Sequence, residues 1–173
     1  MIQLTFEPSL DPFHAVFRFL RLRPMIAGLG ALSRDHLRIL DFYLLFPFRI
    51  EAIRLTHQDR KYRKLSAQYE SAKPYGEQPE DRSLFNRMEP MQVAALDTLA
   101  ARRLIDPDRW TVGDVAPTDL LIPEPVRLRA EAANAQDAEL MSFLAKLAAD
   151  YHVTGPRGLK DRTGLMEHRY DAV

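Results

Sequence analysis

Cysteine is absent from this chain of 173 residues. That excludes a disulfide framework, a thiolate metal site and a cysteine nucleophile, and it suits a reducing compartment such as the cytoplasm. No apolar run approaches the roughly 20 residues of a membrane span. The longest, Phe42–Phe46 with Ile39–Leu40 just before it, falls far short. The start, MIQLTFEPSLDP, has neither the basic opening nor the long apolar stretch of a signal peptide. Net charge is zero, from 24 Lys+Arg and 24 Asp+Glu, so the basic balance of a dedicated nucleic-acid binder is missing. The cancellation is uneven. Residues 1–88 carry 14 Lys+Arg against 10 Asp+Glu, and residues 89–173 carry 10 against 14. Such a dipole can steer a partner. Internal repeats and low-complexity tracts are also missing.

Motifs of chemistry are equally scarce. His14, His36, His57, His152 and His168 are scattered, with no His-Glu-x-x-His or His-x-His spacing. His14 and His36 fall on or beside apolar helix faces, where a hydrogen-bonded structural histidine is the simpler reading. Gly155–Pro156–Arg157–Gly158–Leu159–Lys160 lacks the Gly-Lys-Ser/Thr of a phosphate loop, and Pro156 removes an N–H that a phosphate would need. The residues therefore indicate no catalytic, cofactor or metal site.

What is present is helical pattern. A chain of this length is one domain, or one domain with an appendage, and can bury a core without staples. Ile2, Leu4 and Phe6 alternate with polar residues as in a short strand. Asp11–Pro12 reads as an N-cap and first helical residue, predicting a helix over Pro12–Leu22 that Pro24 and Gly28 break. Arg18, Arg21 and Arg23 would then complement its C-terminal dipole. Ser33 caps a second helix over Arg34–Phe46 that is almost wholly apolar in its later half and stops at Pro47, with a short helix over Arg49–Leu55 after it. Residues 56–87 are polar and basic, helical over Asp59–Tyr69 and a loop beyond. A helix over Pro90–Leu104 comes next, then a hairpin of Leu104–Ile105 and Trp110–Val115, a short apolar piece over Thr118–Ile122, a long helix over Val126–Tyr151, and a charged tail over Gly158–Val173.

This order predicts a mainly α fold with a small β-hairpin. It is winged-helix-like over residues 1–122, with a polar insertion at about 56–88 and a C-terminal helix and charged tail over 123–173. Helix Pro90–Leu104 takes the place of a recognition helix.

Two groups of residues offer surfaces. Phe42, Tyr43, Phe46 and Phe48 give more aromatic surface than a small core readily hides, and Leu84 with Phe85 sits in a polar stretch before a helix. These six are candidates for a partner interface with aromatic anchors, although core packing explains the aromatic set equally and a hydrophobic staple onto the helix is the favoured reading of Leu84 and Phe85. Arg60, Lys61, Arg63 and Lys64 surround Tyr62, and Arg102 and Arg103 end a helix. These are candidate nucleic-acid contacts, against the simpler readings of a solvated face and dipole-complementing caps.

A set of segments carries a family likeness: Asp11–Pro12–Phe13–His14, Phe17–Arg18–Phe19–Leu20, the stretch Ile39–Pro47 reading ILDFYLLFP, and Leu84–Phe85–Asn86–Arg87–Met88–Glu89–Pro90–Met91–Gln92 with Ala95–Leu96. Over residues 11–105 the chain resembles the small middle component of bacterial three-component ABC-ATPase conflict systems, the group that includes Lamassu-like defence. The resemblance implies a non-catalytic adaptor, without cofactor. It would join an SMC- or Rad50-like ABC ATPase to an effector, often a nuclease, in a cytoplasmic complex against phage or plasmids, with DNA reached through the complex and no membrane involved. The alternative is a DNA-binding winged-helix protein, either a regulator or a DNA-contacting subunit.

Overall fold

The computed structural model describes residues 7–75 and 79–167. The expected strand over Ile2–Phe6 and the end of the charged tail lie outside the described residues. The fold is mainly helical with one small antiparallel sheet.

After a 3₁₀ turn over Pro8–Leu10, helix α1 spans Pro12–Leu29. The Asp11 carboxylate accepts from the amides of Phe13 (2.8 Å) and His14 (3.3 Å), satisfying two donors that a helix start leaves open. The helix does not break at Pro24 but runs on to Gly30, whose φ of 84° ends it. Pro24 is exposed while Leu22 and Ile26 on either side are buried. The apolar face continues across the lost hydrogen bond, and packing outweighs the local penalty. Arg18, Arg21 and Arg23 are therefore mid-helix residues, not C-terminal dipole complements.

Strand β1 (Leu32–Ser33) leads into helix α2 (Arg34–Leu45), where the Ser33 hydroxyl accepts from the His36 amide at 3.3 Å. Every residue from His36 to Leu44 is buried. This helix is the central element, covered on several sides as its wide apolar surface requires. Pro47–Ala52 and His57–Lys64 are 3₁₀ segments, and α3 is the single turn Leu65–Gln68.

Helix α4 spans Asp81–Ala101, nine residues earlier than the sequence pattern suggested. Pro90 lies inside it, exposed, while Leu84, Phe85 and Met88 before it and Ala95, Leu96 and Leu99 after it are buried. Its exit is a Schellman turn: the Arg103 amide donates to Ala100 O (2.9 Å) and the Leu104 amide to Leu99 O (2.9 Å). Arg103 stands at the left-handed position, with φ 56°.

The expected hairpin over Leu104–Val115 is replaced by helix α5 (Pro107–Thr111), capped by Asp106, and strand β2 (Asp114–Val115). Asp106–Pro107 reads as a turn in sequence but supplies an N-cap and a first helical residue. β2 pairs antiparallel with β1, Leu32 opposite Val115 and Ser33 opposite Asp114, and Ile105 bridges Pro117.

The expected long helix is two. α6 (Glu124–Gln136) packs on α1, and α7 (Ala138–Asp150) packs on α2. They part at Asp137, whose carboxylate accepts from Arg21 Nη2 (2.7 Å) and from Tyr69 Oη (3.0 Å). α8 (Leu159–Thr163) closes the described chain. Leu140, Phe143, Leu147, Leu159 and Leu165 join Leu37, Phe42 and Leu96 in one apolar cluster, so residues beyond 123 share the core of those before it.

Candidate partner-docking site

The aromatic residues of α2 and the turn after it form a continuous stack. Phe42 contacts Tyr43, Phe46 and Phe85 at centroid distances of 5.2, 5.3 and 5.9 Å, and Phe46 meets Phe48 at 6.1 Å. The Arg38 guanidinium lies 4.5 Å from the Phe85 ring, and Arg49 lies between 5 and 6 Å from the rings of Phe46 and Phe48.

Phe42, Tyr43 and Phe85 are fully buried, and Phe48 and Leu84 nearly so. The early start of α4 is the reason. Leu84 and Phe85 are neither a staple nor an exposed anchor, but the first turn and a half of a helix laid on α2. Phe46 alone of the six is half-exposed. It lines a cleft of about 470 Å³ with Phe48, Leu84, Leu45, Pro8 and Pro79. The polar groups at this cleft are few, Glu7 and Ser9 among them. Among the described residues its floor is mostly apolar, without the converging acids and bases of a catalytic site.

Beneath the stack lies a buried ionic network that the sequence reading missed. Arg18 donates through Nε and Nη2 to both oxygens of Asp41 (2.6 and 3.0 Å), with side chains 2% and 0% exposed. Gln92 Nε2 donates to Asp41 Oδ2 (2.9 Å), and Arg38 Nε donates to Gln92 Oε1 (2.9 Å). Arg38 reaches Glu89 at 3.2 Å, and Asp35 pairs with Lys160 at 3.0 Å. The signal was a polar residue at a core position of each pattern: Arg18 among Phe17, Phe19 and Leu20, and Asp41 inside ILDFYLLFP. The network fixes the register of α1, α2 and α4.

Two histidines have their pKa lowered by burial. Burial lowers the pKa of His14 below its ordinary 6.5, and the neighbouring Arg18 charge adds to this. Arg18 Nη1 donates to His14 Nδ1 at 2.7 Å, which requires the Nε2–H tautomer. Burial also lowers His36, whose Nε2 donates to Leu147 O at 3.3 Å and ties α2 to α7. The Tyr43 hydroxyl is buried without a hydrogen-bond partner, and burial pushes its pKa up.

Elsewhere, the amides of Gly158, Leu159 and Lys160 are spent on Gly155 O, His152 O and Val153 O, so the glycine-proline loop is a closed turn. Arg60, Lys61, Arg63 and Lys64 are exposed on one 3₁₀ segment, and Arg102 and Arg103 are exposed at the exit of α4. Asp97, Asp106, Asp108, Asp114 and Asp119 lie within seventeen positions of that exit along the chain. Among the described residues no group of three or more His, Asp or Glu is placed to hold a metal ion, and no helix is long and apolar enough to cross a membrane.

A family model for Middle Component 5 of ABC-three component (ABC-3C) systems matches residues 4–171. The chain belongs to that family. No curated protein and no solved structure matches it. The match runs well past residue 105, where the sequence resemblance ended. In this middle component α6, α7 and α8 are thus part of the family's common body, as their place in the core already indicates.

Proposed function

We propose that the chain is a non-catalytic adaptor that docks on an SMC- or Rad50-like ABC ATPase and couples it to an effector, in cytoplasmic defence against phage or plasmids. The carrying observation is membership of a middle-component family over nearly the whole chain. The cleft floored by Phe46, Phe48 and Leu84 supports the docking step. We assign it to an apolar side chain of the ATPase subunit.

A winged-helix-like frame is part of the proposal. β1 sits between α1 and α2 and pairs with β2, while Ile105 bridges Pro117 beyond it. α4 occupies the recognition-helix place, and α5 forms the tip of the wing.

Co-expression of the chain with the ATPase and effector encoded beside it tests the reading. A stable complex on size exclusion is expected. Phe46→Ala should weaken it at least tenfold while the chain stays folded at the assay temperature, its melting midpoint lowered only by the lost stacking on Phe42 and Phe48. Val112→Ser, at an exposed site on the wing, should leave it intact. A chain that elutes alone in the presence of both partners would refute the adaptor role. Equal binding by Phe46→Ala would move the dock elsewhere.

A further inference from the structure

The 3₁₀ segment His57–Lys64 divides its residues by threes, because a 3₁₀ helix has 3.0 residues per turn. One row, Asp59, Tyr62 and then Leu65, faces inward. Asp59 and Leu65 are buried, and Tyr62 stacks on Phe143 with centroids 5.0 Å apart. Asp59 accepts from Tyr151 Oη (2.6 Å) and Thr56 Oγ1 (2.9 Å) and faces Lys146 at 3.5 Å. Burial opposes its charge, but these donors outweigh burial and hold its carboxyl below the usual range.

The other two rows face solvent. They are His57–Arg60–Arg63 and Gln58–Lys61–Lys64, all exposed. At about 2.0 Å rise per residue, successive cations of a row stand about 6 Å apart. The segment cannot turn over, because its inner row is anchored at every step and Arg63 Nη2 donates to Ile53 O at 3.1 Å. Among the described residues none of these four cations pairs with a carboxylate. Of the nearby acids, Asp59 faces inward and Glu70 pairs with Lys73, while Glu139 accepts from the neutral amide of Gln68 and lines a cleft with Lys61 and Lys64 without pairing with either.

Two classes of partner carry the negative charge this face needs. A protein interface takes its strength from buried aromatic and aliphatic anchors and is depleted in lysine. The outward rows contain no apolar residue, and their aromatic neighbour Tyr62 is half-buried against Phe143. A phosphate backbone needs only fixed cations. The Tyr62 ring is already occupied, packed on Phe143 and covered by Lys61, whose Nζ lies 5.2 Å from its centroid, so it is not open to stack a base, and no sequence reading follows.

We propose that the exposed rows of His57–Lys64 are a sequence-independent contact for the phosphate backbone of a nucleic acid, made by Arg60, Lys61 and Lys64. This surface is separate from the Phe46 cleft, and the proposal does not depend on the docking reading.

Fluorescence anisotropy of the full chain with two labelled DNA duplexes of unrelated sequence tests it, with a single-stranded DNA and an RNA duplex as further arms. Three phosphate contacts predict that duplex affinity falls about 40-fold between about 50 and 200 mM salt. In Lys61→Ala/Lys64→Ala the same interval should cost only about 3- to 4-fold, equally on both sequences. The melting curve should not change, because both side chains are exposed. Arg82→Ala, a cation paired with Glu167, should leave the salt dependence as it was. The proposal is overturned by absent binding at low salt, by an unchanged salt slope in the double variant, or by discrimination between the two duplexes. It is also overturned if the double variant keeps its nucleic acid but loses an acidic protein partner.

Discussion

Arg18 and Asp41 form a salt bridge with almost no solvent contact. Such a pair gains from its geometry what it loses by leaving water, and removal of one member strands the other charge. Arg18→Met or Asp41→Leu alone should each lower stability by about 3–5 kcal/mol. Together the two apolar residues should cost clearly less than either single change, because no charge is left unpaired. Urea denaturation of the three variants measures the cycle, and additive losses would show that the network contributes only packing. The residues of this network were invisible to periodicity because they occupy apolar positions with polar side chains. Chemistry alone marks them, and only after the helix faces are known.

Among the elements, α4 shows how a strained residue ends a helix. The Schellman turn places Arg103 at a left-handed φ that favours glycine. Its side chain has no packing role, being exposed. Arg103→Gly should therefore raise stability by about 1 kcal/mol, read as a shift in urea midpoint. A loss would mean that the arginine makes a contact worth more than the strain. The helix boundaries divide by the same physics. Asp11–Pro12 and Ser33 were legible because a cap acts through two or three adjacent residues. Pro24 reads as a break and Pro90 as a helix start because proline opposes a helix interior locally, whereas both lie exposed between buried turns whose packing carries the helix through. The basic segment reads as a helix over Asp59–Tyr69 of unspecified period, because so short a run fits 3.6 nearly as well as 3.0. Only the inward row Asp59, Tyr62, Leu65 distinguishes them. The split of α6 from α7 at Asp137 depends on Arg21 and Tyr69, far away in the chain. As for the candidate interface, the start of α4 at Asp81 brings Phe85 onto Phe42 and leaves Phe46 the one of the six that is half-exposed.

At the scale of the whole molecule, two histidines on different helices answer to one variable. The folded chain holds His14 and His36 below the ordinary 6.5, so the unfolded chain binds protons first as the solution is acidified. Stability is therefore full above about pH 6.5 and declines as pH falls below it. The urea midpoint should drop between pH 7.5 and pH 5.5. The drop should shrink in His14→Asn/His36→Gln, whose amides still hydrogen-bond. A midpoint that stays level or rises on acidification would contradict the sign. Asp59, also held low, acts in a more acidic window below its ordinary 3.8 and does not mask the effect.

The last helix and the turn beyond it have a temporal consequence. Leu159 and Leu165 are fully buried against the same core as α2, and the Arg54 amide donates to Arg162 O across more than a hundred positions. Synthesis runs from the other end. Until residues 159–165 have been made, the apolar cluster that these leucines share with α2 is incomplete. A nascent middle component short of that point keeps apolar core surface open to water. A partner or chaperone present at that stage meets a different surface from the one the finished molecule displays.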